Sequence, residues 1–487
     1  MKRGLPRTGA LLAAALVAPA GPISAQEIEF RGELRAGGTF TELRPLVRDS
    51  LPESDVAGDG LRRRLADGTI VTCVPDEFCR WYGSGTSEMF SIVTQDLRLS
   101  AWGLVPGLSA RAHVRGRFGS DEFWPGTTER FEAVTAYLDY DRGDFRARAG
   151  RIARADGLGY YNFDGASLLW RGPEGVWAEA YGGWSLAVGL NAPRSGDRIE
   201  AADDLPPDDR GLLLGVQAGG RLGPVSATVA YQRDIRTDLL AIYSERVAVD
   251  LRALWARWGL DATAEYDWAG RNWNEVGLRA TGQVTDAIEA GVEGRHYEPF
   301  FESWTIWGAF TPVGFNEARA SVAWLGSGLG LRIEAFGAYR DYEDTGASAE
   351  FLPLREDGWR IGGSVAWQRD GWSLNGAYRA EAGFGAARFG GDVSAAYTFG
   401  AGRWVSIRGS RTQTFGELRL NEEMVSGVGA DVAWRVGFWS LVGGGSLYRL
   451  DGRERPADAD RTQSRLHAGI AVRFGREPGG AAGGAVP

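Results

Sequence analysis

Long hydrophobic runs are missing from this 487-residue sequence. Beyond the apolar stretch 10–18, nothing approaches the roughly 18 consecutive apolar residues of a transmembrane helix, so a helical membrane protein is excluded. Lysine is missing too. After Lys2 every base is arginine, which stays charged at any working pH and grips carboxylates through two parallel hydrogen bonds. Histidine is scarce: His113, His296 and His467 lie far apart with none of the spacings of zinc sites, and no serine stands in an evident nucleophile motif. No catalytic residue, metal or cofactor is therefore expected. Basic residues are in deficit, 54 against 63 acids for a net charge of -9, which argues against a nucleic-acid partner.

What is present begins with MKRGLPRTGALLAAALVAPAGPISAQ: three bases, a short apolar run, and Ser24-Ala25 before Gln26. This reads as a cleaved secretory signal, residues 1–25, after which the net charge becomes -12. In an exported chain the only two cysteines, Cys73 and Cys79 of TCVPDEFCRW, are expected to close a small disulfide loop.

Glycine (71), tryptophan (19), tyrosine (15) and phenylalanine (21) are abundant, and the mature chain alternates apolar with polar residues from end to end. IEFRGELRA, LSARAHVRGRF, LDATAEYDW, WRIGGSVAWQ and LHAGIAVRF are examples among about 22 such segments of roughly ten residues, the length of a tilted membrane-crossing strand. Long and short connectors alternate: residues 41–86, then GLVPG, then GSDEFWPGTTE, then DRGD, then ADGLGYYNFD, then GPEG. Aromatics bracket the short ones, so Trp102, Tyr140, Phe145, Trp258, Trp324, Trp367, Trp372, Phe399, Trp404, Trp434 and Trp439 are expected to form one ring at a membrane boundary. The fold expected is all-β, an antiparallel up-and-down barrel of about 22 strands (18–24) over residues 26–474.

On these features the chain resembles Gram-negative outer-membrane β-barrels, porin-like or exporter-like. Its closing strand LHAGIAVRF, ending in Phe474, looks like the signal read by that class's assembly machinery. The resemblance implies an outer-membrane location among lipid and lipopolysaccharide. Family members usually end at the aromatic; here 475–487 follow as an expected disordered tail. The first strand starts at about Ile28, which leaves no room for a plug domain. The first connector, with LRRRL and the cysteine pair, is a candidate for an internal constriction and equally for a surface flap. The acids Asp197, Glu200, Asp203, Asp204, Asp208 and Asp209 read as ordinary loop solvation.

Period-two alternation assigns a charged inner face. Placing the two-residue turn of LDYDRGDF at Arg142-Gly143 sets Asp139 opposite Arg146 and Tyr137 opposite Arg148. The first five strands then offer Arg31, Arg35, Arg98, Arg111, Arg115, Arg117, Arg146 and Arg148 against Glu29, Glu33, Asp96 and Asp139. The opposite wall offers eight acids, among them Asp261, Glu265, Glu289 and Glu293, against five arginines. These imply a transverse field and a channel for polar solutes, with acidic solutes suiting the arginines, or an export conduit. The alternatives are a non-conducting barrel filled by its loops and, least favoured, an outer-membrane hydrolase.

Overall fold

A computed structural model describes residues 29–43, 46–120, 130–186, 211–236, 241–298, 314–343, 357–383, 386–415, 423–452 and 461–475, apart from 59, 61, 67–69, 75–76 and 85. The expected signal, the tail beyond Gly475 and the acidic stretch around Asp203 lie outside the described residues.

Twenty-two strands form one closed antiparallel sheet. They are β1 (Glu29–Leu43), β6 (Glu88–Val105), β7 (Leu108–Gly119), β8 (Phe131–Arg142), β9 (Phe145–Asp156), β10 (Gly159–Arg171), β11 (Trp177–Ser185), β12 (Leu212–Leu222), β13 (Val225–Arg236), β14 (Ala241–Trp255) and β15 (Trp258–Asp267). The circuit continues through β16 (Asn272–Thr285), β17 (Ile288–Tyr297), β18 (Phe315–Gly326), β19 (Leu331–Tyr342), β20 (Asp357–Arg369), β21 (Trp372–Gly383), β22 (Ala386–Thr398), β23 (Arg403–Phe415), β24 (Glu423–Val436), β25 (Trp439–Gly452) and β26 (Arg461–Gly475). Closure comes from β26 pairing with β1, Phe474 opposite Gly32. The space for that ring exists because Gly32 has no side chain: a Cβ there would lie 2.2 Å from it.

Within the first connector, β2 (Leu46–Pro52), β3 (Arg62–Arg64), β4 (Ile70–Val74) and β5 (Phe78–Ser84) make a separate four-stranded sheet. Cys73 and Cys79 face each other across β4 and β5 and are joined. With Val56 and Val71 they form a small buried core, so the bridge staples a hairpin inside a miniature sheet rather than a bare loop.

Apart from five local register shifts, the ladders keep one parity. Phe30, Leu34, Leu168, Val292, Ile407 and Ile470 stand on the outer face, exposed, while arginines and acids alternate with them on the inner face. Burial on folding does not explain an apolar outer face; a lipid surround does. Tyr140, Phe145, Trp258, Trp324, Trp367, Trp372, Phe399, Trp434 and Trp439 lie on this face beside the short turns. Trp102 and Trp404 do not. Trp102 stands in unbroken register opposite Glu29 and Ser109 on the inner face, where its Nε1 donates to Glu29 at 2.7 Å, and Trp404 pairs with Thr398 on the inner face.

Two further expectations about connectors are corrected. The β8–β9 turn is Gly143-Asp144, not Arg142-Gly143, so Asp139 sits opposite Arg148 and Asp141 opposite Arg146. Gly143 takes the positive φ (58°) that this turn requires, which a long arginine side chain disfavours. The shift moves the pairing by one full pleat, so no side chain changes face. Loop sorting also holds in one direction only. The short turns share one side, but the other side contains tight turns as well, including Gly157-Leu158 between β9 and β10. ADGLGYYNFD is thus a turn and the start of a strand, not a long connector.

Candidate pore constriction

That tight turn ends a hairpin that leaves the wall. The β9–β10 ladder runs unbroken to Asp156 opposite Gly159. Pairing of β9 with β8 stops at Arg151 opposite Ala136, while the β10–β11 ladder reaches Phe163 opposite Ser185 with one further bond from the Leu186 N–H to the Asn162 carbonyl at 2.8 Å. Just below these points, Gly150, Gly165 and Gly183 form one cross-strand row on the inner face. A Cβ at Gly165 would sit 2.0 Å from the Gly182 carbonyl oxygen, and one at Gly150, where φ is 128°, would sit 2.3 Å from that of Ala136. Three strands can bend inward here because nothing projects into the bend. Arg151 Nη1 donates to the Ala133 carbonyl at 2.8 Å and Asn162 Nδ2 to that of Val134 at 3.1 Å, satisfying the edge of β8 that β9 no longer covers.

The tip docks on β14. Arg246 Nη2 donates to the Tyr161 hydroxyl, which in turn donates to the Leu158 carbonyl. A Cβ on Gly157 would stand 3.4 Å from that of Ala248. Four strand spacings separate β10 from β14, about 19 Å along the wall, so this contact requires the tip to lie inside the barrel. Ile152, Leu158, Tyr161, Phe163, Tyr181, Leu213, Ala230 and Ala248 form the buried cluster between them, with Phe163 wholly enclosed.

Two arginines flank the cluster. Arg154 meets Asp156 at 2.8 Å, Glu179 at 2.6 Å and Gln217, and its guanidinium lies 4.1 Å from the Tyr181 ring centre. Arg246 meets Glu265 at 2.8 Å and Ser244 at 3.2 Å, and Asn274 adds a bond to Glu265 at 2.9 Å. A buried guanidinium is tolerable only with such partners. Because they come from several strands, they also specify where the tip rests.

The residues expected to line the lumen are all on the inner face by register. Arg111, Arg115 and Arg117 stand in line on β7, and Arg146 and Arg148 follow on β9. Asp139 is buried between Arg146, at 2.7 Å, and Arg148, at 3.5 Å. Asp96 holds both His113, at 2.6 Å, and Arg115, at 2.9 Å. Opposite, Asp261 approaches Arg252 at 3.5 Å, Glu289 meets Arg332 at 3.0 Å, and Glu293 is paired in register with Arg279 and Arg319. His467 bonds Asp431 at 3.1 Å, so the inward histidines serve separate carboxylates.

The expected charge excess on the first wall shrinks. Its five strands also carry Arg154 and the acids Glu88, Glu132, Asp141 and Asp156 inward, leaving nine bases against eight acids. The opposite wall keeps eight acids against five bases. Tyr161, Phe163, Arg154 and Arg246 were not singled out from sequence. Their available signal was apolar residues, Ile152, Leu158, Tyr161 and Phe163, on what should be a polar inner face.

No family model matches the chain, and no curated protein is found to resemble its sequence. Solved structures with similar architecture include a BenF-like porin from Pseudomonas fluorescens (TM-score 0.42, 9% identity, 92% of this chain and 99% of that one). Others are the siderophore receptor PirA from Pseudomonas aeruginosa (0.49, 11%, 92% and 80%) and the PapC usher translocation pore of the P pilus (0.39, 9%, 91% and 99%). Likeness at this level is one of barrel architecture, and nothing about solute or partner follows from it.

Proposed function

We propose that this chain is an outer-membrane channel for polar solutes, narrowed from one wall by the docked β9–β10 tip. The observation that carries this reading is the wetness of the inner face away from the tip. The inward side chains of Arg252 and Asp261 are 64% and 47% exposed and that of Arg408 48%. A barrel packed shut would enclose them, whereas a water-filled lumen of this strand number leaves them solvated. Arg111, Arg115 and Arg148 line the path in this reading, and their forked guanidinium groups suit solutes that carry carboxylates. Phe474, facing outward 6.5 Å from Phe30 at the closing seam, serves as the handle for the cell's barrel-assembly machinery.

Planar-bilayer recording of the refolded protein tests the reading. A stable ohmic current is expected. Neutralising Arg111, Arg115 and Arg148 together should move the reversal potential toward cations at low salt and less at high salt, where the field is screened. Electrical silence of correctly folded barrels would favour a structural role instead.

A further inference from the structure

A second outward groove of small residues, Ala280, Gly294, Ala318, Ala320 and Gly337, lies on β16–β19, but among the described residues only the outer face of β8–β12 combines such a groove with an ion pair beside it. Ala147, Ala149, Ala166, Ala180 and Gly182 floor a concave groove walled by Leu138, Tyr140, Leu168 and Leu214, all on the outer parity. One row above the Ala149–Ala166 pair, Arg151 and Asp164 stand side by side on the same face, joined by bonds of 2.8 and 3.0 Å. From the aromatic row Phe145–Trp170 to this pair is six residues, about 15 Å of height for a strand tilted near 40°, against the ~25 Å apolar band of such barrels. On the opposite side the outward residues of β20 run from Trp367 through Val365, Gly363 and Ile361 to Trp359 with no charge among them. Lipid covers the β20 surface well and the β8–β12 face poorly, since a charged pair at that depth costs free energy against hydrocarbon.

We propose that the β8–β12 face seats a second copy of this chain, related by a two-fold axis along the membrane normal near the β9–β10 seam. The charge pattern is self-complementary. Rotation by 180° about that axis sets Arg151 of one copy against Asp164 of the other, and the reverse, so two lateral ion pairs close into a four-membered network. The alanine and glycine floor admits close approach of the two sheets, as small residues do between membrane helices, with Leu168 of each copy entering the groove of the other. This goes beyond the channel reading and shares with it only that the outer face lies in the membrane.

Leu168→Cys tests it, because the chain has no other free thiol among its described residues. Oxidation in native outer membranes is expected to yield a crosslinked dimer, while Ile361→Cys on the far wall yields none. Adding Ala149→Phe, which fills the groove, or Asp164→Arg should abolish the crosslink; Arg151→Asp with Asp164→Arg should restore it. Heat-modifiable migration on gels verifies that each variant is a folded barrel. Folded Leu168→Cys barrels that crosslink no more than Ile361→Cys barrels would overturn the proposal, as would a crosslink indifferent to Ala149→Phe. A lipid-filled groove predicts the former result.

Discussion

β14 and β15 present the same inner face at two heights, and the two heights behave as different materials. Near the tip, Arg246 and Glu265 pair at 2.8 Å with side chains 10% and 15% exposed. Lower on the same strands, Arg252 and Asp261 approach to 3.5 Å with side chains 64% and 47% exposed. Residue type, parity and strand are alike. The difference is the hairpin above: where it docks, water is excluded and the ion pair works in a low dielectric, and where it does not, the pair is screened. Like ion pairs across the same two strands therefore yield a structural clamp at one end and a solvated wall at the other.

Removing the dock should erase this difference most completely. Phe163→Ala deletes its one fully enclosed ring and should cost about 3–5 kcal/mol, which is at least a hundredfold in the docked population. Hydrogen exchange of amides 152–162 should then rise while the β20–β26 ladders stay protected. Glu265→Gln leaves Arg246 enclosed with less charge to answer it and should cost about 3 kcal/mol in denaturant unfolding, against under about 0.5 for Asp261→Asn two pleats away. Gly165→Val, whose Cβ meets backbone at 2.0 Å, should destabilise by about 1–3 kcal/mol, whereas Gly337→Val, with nothing within 4 Å, should be near neutral. The smallest effect is expected from Cys73→Ser with Cys79→Ser. The miniature sheet should loosen, visible as faster proteolysis between 44 and 87, with single-channel conductance unchanged, since that sheet has its own core.

Strand number, closure and the inner face were legible because period-two alternation is repeated in every strand and one register error cannot hide among twenty-two consistent ladders. Asp139 beside Arg146 and Arg148 survived even a misplaced turn, because a whole-pleat shift preserves parity. What was not legible is tertiary. GLGYYNFDG carries turn residues and aromatics that read as a loop, and only the β9–β10 ladder, running on past the end of β8 pairing at Arg151 to a contact with β14, reveals that the strands continue and depart from the wall. Arg246 likewise looks like any lumen arginine until Tyr161, 85 residues away, is set against it. Trp102 and Trp404 mislead for a local reason: an aromatic next to a turn can take either face, and neighbours such as Glu29 decide.

If the tip narrows a conducting lumen, the single-channel conductance of Phe163→Ala should differ from that of the wild type. The control is the same variant carrying Gly157→Cys and Ala248→Cys, whose Cβ positions lie 3.4 Å apart, within reach of a disulfide once the Asp250 carboxylate swings aside. A larger conductance is expected for Phe163→Ala, returned to the wild-type level by oxidation of the added pair and released again by reduction. Conductance that is the same in all three folded barrels would contradict it.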